Sequence, residues 1–184
     1  VVEEMEYLIT KRNVRHFEWL DDDLLFDSVA FKKILQTIID NQWNITWSAN
    51  NGVIASSIKE DIVDLMELSG CIGFKIGIES GNPDMLRKVL KPSRHRHFLR
   101  AAKYLQKSKK IFVGGNYILG LPDEYFFMMM DSFRFSLSLN LDWSAFTVCQ
   151  EIRGASAFSE MGELFEAQIK SEGTTGIGNF IPTR

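Results

Sequence analysis

The chain has 184 residues and a mass of 21.1 kDa; 45% of its residues are hydrophobic, 12% are aromatic, and its formal net charge is −3. Such a chain builds one medium-sized domain with a real core, which excludes wholesale disorder. The charge balance argues against a strongly basic nucleic-acid platform, no stretch reaches the ~18 apolar residues of a membrane span, and two cysteines are too few for a disulfide framework.

Helical and strand-like hydrophobic patterns alternate along the chain, with strand-like runs bounded by Asp, Asn and Gly. In chain order we predict a helix at 1–12, a strand at 14–20, a helix at 31–39, a strand at 45–49, a helix opened by a capping box at 57–60, a strand at 71–78, a helix at 98–105, a strand at 111–119, a helix at 124–139, a strand at 143–148, a helix at 156–170 and a Gly-rich tail.

The predicted strands begin near residues 14, 45, 72, 111 and 143, so one start follows another after 27 to 39 residues. That spacing is typical of β/α units, which implies parallel strands joined by right-handed helical crossovers. Both a doubly wound sheet and a barrel fit the alternation. The turn after the first strand holds three aspartates and lacks the Gly-x-Gly-x-x-Gly of a dinucleotide-binding fold, so we favour a barrel or an arc of one.

Each predicted strand is followed by carboxylates, amides or glycines, and in β/α barrels these turns share the carboxyl-terminal face, where active sites lie. Such a rim suits ribose hydroxyls, an ammonium group and a flat base. The alternative is that Asp and Asn simply favour turns and helix caps. The turns are Asp21–Asp23, Ser48 with Asn50 and Asn51, Glu79–Asn82, Gly120–Glu124 and Gln150–Gly154.

Three of these segments, taken in order and at barrel spacing, resemble the radical S-adenosylmethionine (SAM) superfamily. They are Phe17-Glu18-Trp19-Leu20-Asp21-Asp22-Asp23, Ile76-Gly77-Ile78-Glu79-Ser80-Gly81-Asn82 and Tyr117-Ile118-Leu119-Gly120-Leu121-Pro122-Asp123-Glu124. The resemblance is greatest to the branch that often carries a cobalamin-binding domain upstream. It implies an α/β fold, a partial (β/α)6 TIM-like barrel of parallel strands. The barrel's first strand and cluster loop would then lie before Val1.

The resemblance implies a [4Fe–4S] cluster held by a Cys-x-x-x-Cys-x-x-Cys loop, which we expect upstream of Val1. Cys71 and Cys149 lack cluster spacing, and we interpret both as buried apolar cysteines. In the intact enzyme the cluster would reduce SAM to generate a 5′-deoxyadenosyl radical that abstracts hydrogen from an unidentified substrate. An electron donor such as flavodoxin or ferredoxin would reduce the cluster. The resemblance also allows cobalamin as a further cofactor of the full-length protein.

Residue by residue, the resemblance implies a SAM site on the rim. Asp21 and Asp22 would accept from the SAM ammonium group, with helix capping or a salt bridge as their alternative role. Ser48 occupies a position where the family often has a polar SAM contact, although an ordinary strand-end serine also fits. Glu79 would accept hydrogen bonds from both ribose hydroxyls, with structural capping as its alternative role, and Ser80 follows it in the same motif.

Three further positions complete this predicted site. Lys91 would meet the SAM carboxylate, with an ordinary solvated lysine as the alternative, and Asn116 would reach the ribose. The backbone at Gly120 and Pro122 would approach the adenine, although Gly-Leu-Pro also makes an ordinary turn. Where the family usually has Gly before the Glu of this motif, Asp123 stands here. We assign no catalytic residue and no metal ligand within the chain.

Two other functions remain open from the residues themselves. One is a divalent-metal-dependent barrel hydrolase built on Asp21, Asp22, Glu79 and Glu124, and the other is a non-catalytic barrel scaffold. We expect an incomplete barrel core over residues 1–172 and a tail or linker over 173–184. Because the chain lacks an initiator methionine and a signal peptide, we interpret it as a piece of a longer, cytoplasmic protein.

Three other features have simpler interpretations. The basic surface at 94–110 is expected to be a solvated helix face. The segment Tyr125–Met130 is expected to belong to a buried barrel helix, and the four tryptophans are expected to pack the barrel and its helices.

Overall fold

A computed structural model describes residues 1–21 and 23–150 of the protein. Its elements are α1 (Val2–Arg12), β1 (His16–Trp19), α2 (Ser28–Asp40), β2 (Thr46–Ala49), a short 3₁₀ turn (Ala55–Ser57), α3 (Glu60–Leu68), β3 (Cys71–Glu79), α4 (Pro83–Lys88), α5 (His95–Leu105), β4 (Phe112–Leu119), α6 (Phe126–Leu139) and β5 (Trp143–Val148).

The five strands form one parallel sheet in the order β1-β2-β3-β4-β5, so each strand pairs with the next one along the chain. This sequential strand order, with a helical crossover between successive strands, is that of a barrel arc. In a doubly wound sheet the strand order would reverse at a switch point. The α/β class and the parallel, barrel-like topology expected from the spacing of the strands are confirmed.

The helices pack against one face of the sheet and enclose the hydrophobic core. Trp47 of β2 is fully buried there and meets Phe31 of α2 edge-to-face, with ring centroids 5.8 Å apart. Trp19 of β1 completes the aromatic cluster at 5.5 Å from Phe31, and the indole N–H of Trp47 donates to Ser69 Oγ at 3.1 Å. Because helices cover this face, only the opposite face of the sheet is accessible to ligands. We call it the open face.

Three expectations about local structure are wrong. Ser57 lies in the 3₁₀ turn, and α3 begins after Lys59 without a side-chain cap, so there is no capping box at 57–60. The side chains of Tyr125, Phe126 and Phe127 are 60% exposed or more, because they lie at the outer start of α6 and not in its buried part. Trp143 is 59% exposed on the open face and does not pack in the core.

Some predictions fall outside the described residues. These are the role of Asp22, the helix at 156–170, and the boundary between the core and the tail near residue 173. Within residues 1–21 and 23–150, no helix has the length and apolar character needed to cross a bilayer.

Candidate functional site

The rim at the carboxyl-terminal ends of the strands collects most of the residues assigned to SAM. Parallel register sets their relative heights: Glu18 pairs with Ser48, and Ser48 pairs with Gly73, so all three side-chain positions share the open face. Further along the strands, Gly77 pairs with Asn116 on that same face. The open face therefore carries polar side chains on β1 to β4, with glycines between them.

The centre of the rim is an ion pair between Glu79 and Lys91. Lys91 Nζ donates to Glu79 Oε1 at 2.8 Å, and the two side chains are 24% and 19% exposed. Gly77 makes room for this pair, because a Cβ at that position would lie 2.8 Å from Glu79 Oε1 and 3.0 Å from Lys91 Nζ. The acceptor assigned to the ribose and the cation assigned to the SAM carboxylate are thus brought together.

The backbone of Glu79 is unusual. Its φ of 68° lies in the left-handed region, and the β3–β4 register shifts between Gly77 and Glu79. A left-handed conformation at a non-glycine residue costs about 1–2 kcal/mol, and such residues concentrate at functional sites. The bulge turns the carboxylate toward Lys91, which reaches the rim from the segment after α4, where its backbone N–H donates to Leu86 O at 3.0 Å.

A second polar group occupies the open face of β1 and β2. The Glu18 carboxylate accepts from the Ser48 hydroxyl and, at 2.7 Å, from the backbone N–H of Asn50. Ser48 Oγ also lies 3.3 Å from His16 Nε2. Partial burial raises the pKa of Glu18. The hydrogen bonds from Ser48 and Asn50 outweigh this effect and hold the pKa below its ordinary value. Ser48, predicted to contact SAM, is thereby oriented by an anion that the sequence motif did not single out.

The loop after β4 is closed by Glu124. Its Oε2 accepts from the backbone N–H of Gly120 at 2.7 Å and of Leu121 at 3.2 Å, while Gly120 takes a φ of 76° that an L side chain rarely adopts. Burial raises the pKa of Glu124, against the lowering effect of the same two amides. Glu124 thus holds Gly120 in its turn, while Pro122 follows half-buried on the loop.

The side chain of Ser80 points into the protein interior. It is fully buried, and its Oγ accepts from the Asn82 backbone N–H at 3.1 Å and lies 3.3 Å from Ser132 Oγ of α6. Gly81 sits so close to α6 that a Cβ there would be 2.5 Å from Asp131 O. The structure therefore does not bring the Ser80 hydroxyl together with the other predicted ligands, and its part in binding stays a prediction.

Asp21 and Asn116 occupy opposite sides of the candidate site. Asp21 is exposed directly beyond β1, and Asn116 is half-buried on the open face of β4. Asp23, by contrast, is engaged in its own loop, where its Oδ1 accepts from Leu25 N at 3.2 Å and Ile54 N at 3.4 Å. The contacts of Asp21, Asn116 and Ser48 with a ligand stay predictions.

The cysteines do not fit an iron–sulfur cluster. Cys71 begins β3, is 2% exposed, and has its pKa raised to about 12 by burial, whereas Cys149 follows β5 at the other end of the sheet. A cluster requires three thiolates at one point. Within the part of the chain that the structure describes, no group of three or more His, Cys, Asp or Glu side chains is arranged to hold a metal ion, which gives the hydrolase alternative no support.

Sequence reasoning missed two features of the site, each of which had a signal. Glu18 lies in the quoted motif, and its place between the partly buried Phe17 and Trp19 puts it on the opposite, open face. Gly77 lies in the interior of β3 two residues before Glu79, and a glycine in a strand interior often marks a close approach.

Comparisons with known proteins show the family. The model of the Radical SAM superfamily matches residues 1–133. An uncharacterised methyltransferase of Pyrococcus horikoshii is 26% identical over 154 residues, covering 84% of this chain and 33% of its own, and the bacteriochlorophyllide d C-12(1)-methyltransferase of Chlorobaculum tepidum is 26% identical over 151 residues, covering 82% and 32%. The chain therefore spans about a third of the length of these curated relatives.

The fold has solved counterparts as well. The radical SAM methyltransferase TsrM from Kitasatospora setae, solved with cobalamin and a [4Fe–4S] cluster bound, superposes with a TM-score of 0.72 at 16% identity, over 83% of this chain and 29% of the other. At that identity the likeness concerns the fold alone.

Proposed function

Since the chain belongs to the radical SAM superfamily of enzymes, we propose that its open-face rim binds SAM in a longer radical SAM enzyme. The Glu79–Lys91 pair beside Gly77 is the observation that carries this proposal. SAM presents two vicinal hydroxyls, an ammonium group and a carboxylate. The pair offers an acceptor with two oxygens and a cation with three donors at a partly dehydrated position, which matches those groups in sign and in hydrogen-bonding type.

The other assignments follow the open face outward from this pair. Asn116 lies across the β3–β4 register from Gly77 and is assigned to the ribose, and the Glu124-braced turn at Gly120 and Pro122 offers backbone groups to the adenine. Asp21 and Ser48 face the methionine end of the ligand. In this arrangement Glu18 positions Ser48 and acts through it.

A [4Fe–4S] cluster, whose three cysteine ligands we place outside these 184 residues, would supply the electron that cleaves SAM. What this part of the protein contributes is placement: it binds SAM at the rim and keeps water away from the reactive carbon. Hydrogen abstraction by a 5′-deoxyadenosyl radical is the step that we assign to the whole enzyme. The methyltransferase names of both curated relatives support methyl transfer as its overall reaction.

Titration calorimetry of the full-length protein with S-adenosylhomocysteine tests the site independently of turnover. We expect Glu79→Ala to weaken binding at least about tenfold, since hydrogen bonds to charged groups contribute about 1.5–3 kcal/mol. Lys103→Gln, on the outer surface of α5, is the matched control and leaves the affinity unchanged. Unchanged affinity in Glu79→Ala would remove the assigned contact.

Anaerobic reconstitution with iron and sulfide tests the cluster. We expect a brown chromophore in the full-length protein and none that depends on Cys71 or Cys149. A full-length protein that contains no Cys-x-x-x-Cys-x-x-Cys segment and takes up no iron would favour the scaffold alternative.

A further inference from the structure

Below the SAM-assigned rim, the open face contains a lysine that the proposed SAM site does not use. Lys75 lies on the open face of β3 between Gly73 and Gly77, and its side chain is exposed. Charged residues are rare on the inward faces of parallel strands, which are usually lined by apolar side chains. The ammonium group of Lys75 is accessible and can bind an anion.

Within the described residues that anion is not part of the protein. Lys91, Lys88, Lys32 and Lys107 each donate to a carboxylate, but Lys75 Nζ takes part in no ion pair or hydrogen bond among residues 1–21 and 23–150. Glu18, on the open face of β1 two strands away, already accepts from Ser48 and Asn50.

The surroundings of Lys75 supply an apolar wall. Gly114 lies opposite Lys75 in the β3–β4 register, and a Cβ there would touch Lys75 Cγ at 3.4 Å, so the lysine stem lies along the bare backbone of β4. Next in the same row is Trp143 of β5, which pairs with Gly114 and is 59% exposed. Phe112, two residues before Gly114 on the same face, is 55% exposed. A lysine on the same face as two open aromatic side chains suits an anion with a flat apolar body.

Lys75 lies deeper on the open face than the Glu79–Lys91 pair. It precedes Gly77, beside which that pair lies, by two residues, which corresponds to about 7 Å along a strand. Competition with S-adenosylhomocysteine therefore distinguishes a second molecule from a SAM molecule that reaches both levels. The side-chain amide of Asn116, which lies at the level of Gly77, makes no hydrogen bond within the described part of the chain and is available to a ligand at the rim.

We propose that Lys75, Trp143 and Phe112 form a subsite for the second substrate, and that this substrate carries a carboxylate on a flat apolar body. The inference rests on the proposed function in one respect, since it takes SAM to be the ligand at the rim. Lys75 binds the carboxylate as a point charge with three donors, and the aromatic rings bury the body.

Binding of 3-phenylpropionate, compared with its neutral amide, tests the subsite in the full-length protein by saturation-transfer NMR. We expect the wild type and the Lys103→Gln control to bind the carboxylate at least about tenfold more tightly than the amide. Lys75→Gln loses this preference and Lys75→Arg keeps it. Trp143→Ala weakens both probes and leaves the preference in place. A wild type without the preference, or a Lys75→Gln variant that keeps it, overturns the inference.

Saturating S-adenosylhomocysteine separates the two possible sources of the carboxylate. If the carboxylate preference persists in its presence, the subsite belongs to a second molecule. If S-adenosylhomocysteine displaces the probe competitively, Lys75 serves the carboxylate of SAM and the inference is overturned. A protein that binds 3-phenylpropionate through Lys75 but does not bind S-adenosylhomocysteine refutes the proposed function and leaves the anion subsite standing.

Discussion

Gly77→Ala isolates the contribution of the Glu79–Lys91 pair, because it removes neither side chain. The new methyl group would lie 2.8 Å from Glu79 Oε1 and 3.0 Å from Lys91 Nζ, closer than van der Waals contact allows. Both atoms are the ends of flexible side chains, so the pair separates and the fold survives. We expect stability to fall by about 1 kcal/mol, the contribution of a partly exposed ion pair.

The effect on the ligand is larger. With both groups displaced, we expect the dissociation constant of S-adenosylhomocysteine to rise about 10- to 100-fold, equivalent to about 1.4–2.8 kcal/mol. Calorimetry of the full-length protein measures it, and urea denaturation of the same variant measures the stability. A Gly77→Ala protein that binds with wild-type affinity would refute the assignment of the pair to SAM.

Two neighbouring glycines provide matched controls. A Cβ at Gly114 would meet Lys75 Cγ at an ordinary 3.4 Å, so Gly114→Ala leaves S-adenosylhomocysteine binding unchanged. A Cβ at Gly73 would meet the backbone oxygen of Phe112 at 2.7 Å, and backbone cannot move aside as a side chain does. Gly73→Ala is therefore expected to destabilise the whole sheet and to be distinguishable from Gly77→Ala by its denaturation midpoint.

Four further outcomes are expected. Trp47→Ala, at a fully buried indole, lowers the free energy of unfolding by about 3–5 kcal/mol in urea denaturation; a loss below 1 kcal/mol would contradict the packing described. Glu124→Ala leaves two loop amides without an acceptor and costs about 1–3 kcal/mol, with faster hydrogen exchange at those amides. Glu18 has a lowered pKa, so its stabilisation is present above the ordinary value of 4.5 and is lost as the pH falls through the lowered pKa; Glu18→Gln should flatten the fall in melting temperature below pH 4.5, and an unchanged slope would count against it. Cys71, with its pKa raised to about 12, stays unreactive toward Ellman's reagent at pH 8 until the protein unfolds, whereas the half-buried Cys149 reacts first.

The topology was predictable because it follows from the spacing of apolar runs. Strand starts 27 to 39 residues apart leave room for one helix each, and the parallel order β1 to β5 follows from short right-handed crossovers. The local signals were weaker. Ser57 and Glu60 have the spacing of a capping box. However, Ser57 lies in a 3₁₀ turn that packs beside α5, so tertiary contacts overrode the local preference.

The candidate site was predictable in part. Glu79 and Lys91 were both assigned to SAM from separate motif positions, but their pairing could not be read from the sequence, because it depends on the left-handed turn at Glu79 and on where α4 ends. Ser80 could not be separated from Glu79 by the motif alone. Its burial against Ser132 follows from the approach of α6, a contact between residues 52 positions apart.

The left-handed backbone at Glu79 sets the stability of the turn against the carboxylate that it carries. A glycine at this position would relax the turn, and an asparagine would tolerate it better than glutamate does. The chain instead keeps a long carboxylate there and accepts a permanently less favourable conformation. Variants chosen for heat resistance alone should therefore drift toward Gly or Asn at position 79, whereas variants chosen for ligand retention should resist that drift.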